Sequence, residues 1–154
     1  MSAGNPSKKS TLKKILIVIG IGLVAAAAVA LYIFTDTFDD TATQKAAYTV
    51  SANPFIKEFE KDNALANKKY TEQIITVNGR ISEIEAADTT VNIKMIDTTT
   101  GSYIIFAFQQ QDAAEAKKLK EGDSVSVKGS CSGGIFSEIL EVESINFKRS
   151  SINK

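Results

Sequence analysis

Residues 74–85, IITVNGRISEIE, hold the pattern that decides the fold. Ile75, Val77, Gly79 and Ile81 alternate with Thr76, Asn78 and Arg80, and this period of two predicts a half-buried strand. Gly79 within it predicts a bulge, where a strand bends around a small barrel. Toward the C-terminus, Ala87-Asp88-Thr89 reads as a turn. Val91, Ile93 and Met95 then alternate with Asn92 and Lys94 in a second strand. Asp97 to Gly101 is a hairpin loop, and Tyr103 to Phe108 (YIIFAF) a third strand with apolar groups on both faces. One set should face a barrel interior and the other should pack beneath a helix. Asp112 to Lys120 predicts a short helix with an Asp cap. Ser124, Ser126 and Lys128 alternate with Val125, Val127 and Gly129 in a fourth strand. Ser132-Gly133-Gly134 predicts a flexible loop, Glu138 to Phe147 a fifth strand, and the residues from Arg149 a polar tail.

Toward the N-terminus, Ser51-Ala52-Asn53-Pro54 marks a helix start, with Asn53 or Ser51 as cap and Pro54 in the first turn. Phe55, Ile56, Phe59, Ala66 and Tyr70 share one face of a helix running to about Lys69. Thr35 to Thr49, rich in Thr, Ala and Asp, is expected to be a tether without firm structure.

Ahead of it, Ile15 to Phe34 reads ILIVIGIGLVAAAAVALYIF, without a charge. Twenty helical residues rise roughly 30 Å, the thickness of a bilayer's hydrocarbon core. A cleaved signal peptide is the main alternative, with Ala28-Val29-Ala30 resembling a cleavage site. The run exceeds a usual signal core and continues through Leu31, Ile33 and Phe34, with Tyr32 placed like an interfacial aromatic, which favours an uncleaved span. A buried soluble helix would show a polar stripe, and none is present. Lys8, Lys9, Lys13 and Lys14 precede the span, while Asp36, Asp39 and Asp40 follow it. The N-terminus is therefore expected inside and the C-terminal domain outside, which is periplasmic in a bacterium with two membranes. Met1 to Leu12 is expected to be a disordered cytoplasmic tail.

The order strand, strand, strand, short helix, strand, strand is that of the OB-fold, a small five-stranded barrel. The expected architecture is thus a transmembrane helix followed by a helix-preceded OB barrel over about residues 50–148. Three segments carry a family likeness: FIKEFEKDNALANKKY before the barrel, IITVNGRISEIE, and LKEGDSVSVKGSCSG after the short helix. Over about Val50 to Phe147 the chain resembles the tRNA anticodon-binding-like OB domains of bacterial membrane-anchored and lipoprotein-like proteins. That likeness implies an OB barrel; fold by itself does not establish nucleic-acid binding.

Composition narrows the function. From Thr35 onward there are fourteen basic and eighteen acidic residues, a net charge of −4, which disfavours a phosphate backbone as partner. The chain has no histidine, so the commonest metal ligand and general base is missing. Its single cysteine, Cys131, excludes an internal disulfide and reads as a small core residue. Asp88, Asp97, Asp112 and Asp123 sit at expected turns and caps, where Asp has a local structural role. No catalytic residue, cofactor or metal is therefore expected. The expected role is a non-catalytic binding module for a protein or glycan; single-stranded nucleic acid is the alternative, with Tyr103, Phe106 and Phe108 as aromatics and Lys117, Lys118 and Lys120 as a basic cluster. OB barrels bind on the face of strands 2 and 3 and between the loops after strands 1 and 4. Those places hold Asn92, Lys94, Tyr103 and Ile105, the loop Glu85–Thr90, and the loop Ser132–Ser137 with Ser132, Gly133 and Gly134.

Overall fold

Five of the expected apolar alternations pair into one sheet, and two further strands join them. The computed structural model describes residues 8–35 and 40–154, with side chains for residues 13–31 and 40–154. Residues 1–7, Asp36 and Asp39 lie outside this range, as does the side chain of Tyr32. The chain divides into two units, one holding the N-terminal helix and one holding the rest of the described chain from Asp40.

Helix α1 spans Lys8–Thr35, so it starts within the stretch expected to be a disordered tail. Its segment Lys13–Leu31, 19 residues, is long and apolar enough to cross a membrane, and every one of those side chains is exposed. That exposure separates it from the core helix of a soluble fold.

The second unit is a mixed α/β fold. Its strands are β1 (Tyr48–Ser51), β2 (Ile74–Arg80), β3 (Glu83–Ala86), β4 (Val91–Ile96), β5 (Tyr103–Phe108), β6 (Ser124–Ser137) and β7 (Val142–Ile152). They form one seven-stranded sheet in the order β1-β2-β6-β7-β5-β4-β3. The pairs β1–β2 and β5–β7 are parallel, and the others antiparallel. The sheet has two ends, β1 and β3, so the closed five-stranded barrel is corrected to an open sheet of seven strands. The first expected strand divides at Ile81-Ser82. Its first half pairs with β6 and its second with β4, while Ile81 N–H donates to Asp123 C=O at 2.9 Å and Ser82 N–H to Lys94 C=O at 2.8 Å.

Five further expectations change. Gly79 makes no bulge; it stays in register opposite Val125. A Cβ there would lie 2.6 Å from Met95 Sδ and 2.9 Å from the Ala52 Cβ, so the glycine serves close packing. The single helix divides at Asp62 into α2 (Ala52–Lys61) and α3 (Asn63–Tyr70), because the Asp62 carboxylate caps α3 by accepting the Leu65 N–H at 2.9 Å. The fifth strand starts at Val142, with Glu138–Glu141 as the turn, and runs through the expected polar tail to Ile152. The tether is partly ordered: Thr41 is fully buried, Lys128 Nζ donates to the carbonyls of Ala42 and Gln44, and the strand β1 follows. The helix α4 is only Ala113–Ala116, and Asp112 makes no side-chain cap bond.

The helices α2 and α3 cover one face of the sheet. Phe55 meets Phe59, Tyr70 and Phe147 at ring-centroid distances of 5.2, 4.9 and 6.0 Å, and Phe106 lies 4.9 Å from Phe147. Ile75, Val77, Ile93, Ile104, Val127 and Ile145 complete this core, and Cys131 is buried in it as expected. Burial pushes the Cys131 thiol up to about 11, so it stays protonated and unreactive at neutral pH.

A polar clamp fixes α3 to the β6–β7 ribbon. The Asn67 side chain donates to Gly134 C=O and accepts from Gly134 N–H, both at 2.8 Å, as a paired strand would. Asn63 donates to the same carbonyl at 3.1 Å and to the carboxylate of Glu143, which is 1% exposed. Burial raises the Glu143 carboxyl above its ordinary value, opposed by the Asn63 bond and assisted by Glu60. A raised acid pKa favours the protonated native state, so this group's stabilisation is full below its unfolded pKa and is lost as pH rises through the folded one. Glu143→Gln is therefore expected to flatten the fall in melting temperature between pH 4 and pH 7, measured by circular dichroism on the full chain. An unchanged pH profile would contradict the assignment.

Candidate ligand-binding face

The face opposite the helices is where the expected strand residues converge. Antiparallel register sets Lys94 opposite Glu83 and Ile105, Asn92 opposite Glu85 and Ala107, and Tyr103 opposite Ile96. Parallel pairing then adds Ser144 beside Tyr103 and Asn146 beside Ile105. Because Ile104, Phe106 and Phe108 point into the core, Tyr103 and Ile105 point the other way and stay half-buried, on the side away from α2. Four expected site residues, Asn92, Lys94, Tyr103 and Ile105, thus share one surface.

Electrostatics on this surface are settled locally. Lys94 Nζ lies 2.6 Å from Glu85 Oε1, 3.2 Å from Glu83 Oε2 and 5.9 Å from the Tyr103 ring centroid. The bond from Lys94 holds the Glu85 carboxyl below its ordinary range, and the Glu85 carboxylate in turn raises the Lys94 ammonium. Further along the face, Lys148 Nζ sits 2.9 Å from Glu72 Oε1. Both lysines are already engaged by carboxylates.

Ser132, Gly133 and Gly134 do not join this site. They form part of β6 rather than a loop, with Gly133 opposite Asn146 and Gly134 opposite Ile145. Gly133 and Gly134 are buried under α3, where a Cβ on Gly133 would lie 2.5 Å from Asn67 Oδ1. The pair of glycines signals a close helix approach, a meaning that a sequence cannot separate from a turn. Sequence reading placed Glu85 in a loop and missed Glu83, although the EIE alternation of 83–85 put both on one face, and it missed the turn after β6. At that turn Ile135, Phe136, Ile139 and Leu140 are 68, 51, 94 and 70% exposed. Among the described residues, no group of three His, Cys, Asp or Glu side chains could hold a metal ion.

A mixed sheet in this strand order, with helices on one face and an uncovered strand face on the other, defines an OB-like domain. The chain belongs to the tRNA_anti-like family, whose profile matches residues 7–141. No curated protein matches it. Among solved structures it is similar to a candidate nucleic acid-binding lipoprotein of Klebsiella pneumoniae, at 16% identity and a TM-score of 0.53, with 78% of this chain and 100% of that one covered. It is also similar to a candidate aspartyl-tRNA synthetase of Leishmania major, at 9% identity and a TM-score of 0.44, with 82% and 25% covered. The first likeness concerns fold, and the second is too slight to carry an argument.

Proposed function

We propose that this protein is a non-catalytic binding module, anchored by α1 with its C-terminal unit outside the cytoplasm, and that its ligand is a protein or glycan. The segment 74–86 would act as one bent strand shared by both ends of the sheet, which leaves the five strands of an OB barrel with β1 added beside them. The supporting observation is that Lys94 and Lys148, the lysines that β4 and β7 place on this face, are held by Glu83, Glu85 and Glu72. A patch whose lysines are already paired has little to offer a phosphate backbone, whose affinity comes from freeing counterions with Lys and Arg. It offers instead a half-buried tyrosine, an isoleucine and the amides of Asn92 and Asn146, which suit hydrogen bonding and stacking with neutral groups.

The second reading is single-stranded nucleic acid, favoured by the family and by Tyr103 as a stacking platform. The two separate in titrations of the full chain in detergent. Partner isolated from membranes is expected to lose about tenfold or more in affinity to Tyr103→Ala and less to Lys94→Ala, and oligothymidylate is expected not to bind at low salt. Oligonucleotide affinity that falls steeply with salt would replace the first reading by the second.

A further inference from the structure

The β6–β7 turn carries a surface that the ligand-binding face does not use. Ile139 is 94% exposed and Leu140 70%, and the strand residues before the turn, Ile135 and Phe136, are 68% and 51% exposed. Ile135 lies opposite Ser144 and Phe136 opposite Glu143, so these two project from opposite sides of the ribbon. Apolar side chains on both sides of a narrow tip fit a concavity that surrounds it better than a flat surface. Four such residues clustered at one tip mark an interaction site, whereas scattered ones need no explanation.

Charge and position choose the occupant. Glu138 and Glu141 flank the apolar pair, both exposed, and residues 129–147 contain no Lys or Arg. A lipid surface would have to take up both carboxylates with the apolar side chains, and anionic lipids would repel them. Two copies meeting tip to tip would bring four like charges together. The tip also lies at the far end of the sheet from the entering chain. Lys128, which grips residues 42 and 44, is nine positions before Ser137, on the order of 30 Å along a strand.

We propose that the tip, centred on Ile139 and Leu140, inserts into an apolar pocket of another protein whose rim carries Lys or Arg. This pocket-filling contact is separate from the Tyr103 face and stands whether or not that face binds a ligand.

The test places a photo-crosslinking amino acid at 139 in the full chain in its own membrane, with position 121 as the control. A discrete adduct with another protein is expected at 139 only, lost in Glu138→Lys/Glu141→Lys and kept in Tyr103→Ala. The identified protein, purified and titrated against the full chain in detergent, is expected to bind about tenfold more weakly to Ile139→Ser/Leu140→Ser and to the charge-reversed variant, and more weakly as salt rises. Adducts with lipid alone, adducts with a second copy, no adduct from a chain with native circular dichroism, or an affinity indifferent to charge reversal would each overturn the proposal. Loss of the adduct in Tyr103→Ala would show that the two surfaces are one.

Discussion

Gly134→Ala is expected to lower the stability of the C-terminal unit by about 2–3 kcal/mol, an overpacking cost concentrated at one atom. A Cβ at 134 would sit 2.5 Å from Phe59 Cδ1 and 2.8 Å from Glu143 Oε1. Neither neighbour can yield easily. Phe59 is fully buried beside Phe55 and Tyr70, and the Glu143 carboxylate is held by Asn63. The added methyl would also push Gly134 away from the Asn67 amide that reads its N–H and C=O. A drop of about 10 °C in melting temperature is the corresponding signal for a domain of this size. Gly134→Ala combined with Phe59→Leu should be less destabilised than the sum of the single changes, because the shorter side chain leaves room. A neutral Gly134→Ala variant would mean that α2 does not pack on the ribbon as described.

Phe55→Ala is expected to cost more, about 3–5 kcal/mol, since it empties a position that is 1% exposed and in ring contact with three aromatics. Phe55 is where α2 is pinned to β7 through Phe147 and to α3 through Tyr70. Tyr70 is itself tied back to α2, because its hydroxyl donates to Glu58 at 2.7 Å. Phe55→Leu should recover most of the loss, which separates a packing role from a general intolerance of change. Thermal and denaturant unfolding of the full chain in micelles reads both variants. A loss below about 1 kcal/mol for Phe55→Ala would put the core elsewhere.

The parts legible in the sequence were those with a strong period. The alternations at 75–81, 91–95 and 124–129 became β2, β4 and the start of β6, and the helical spacing of Phe55, Ile56 and Phe59 became the buried face of α2. The same alternation brought Asn92, Lys94, Tyr103 and Ile105 to one surface. What stayed hidden depends on contacts between distant residues. Nothing near Gly133-Gly134 announces that Asn67 will press on them, so their local chemistry reads as a turn. Nothing in the short YTVS segment announces β1, which exists because the edge of β2 is available to it. The real turn, EILE, contains no glycine or proline, and Glu141 adopts a left-handed φ of 55° unaided by either. The polar residues Ser150 and Ser151 hid the end of β7 because both are buried in spite of their polarity.

The position of β6 and β7 has a consequence for the order of events during synthesis. These two strands come last in the chain but lie inside the sheet, with β2 on one side and β5 on the other. The pair β1–β2 and the antiparallel run β3–β4–β5 have no ladder between them until residues 124–152 exist. Joining these two parts into one sheet must then wait until β6 and β7 have emerged. A domain built this way closes its hydrogen-bond ladder from the middle outward.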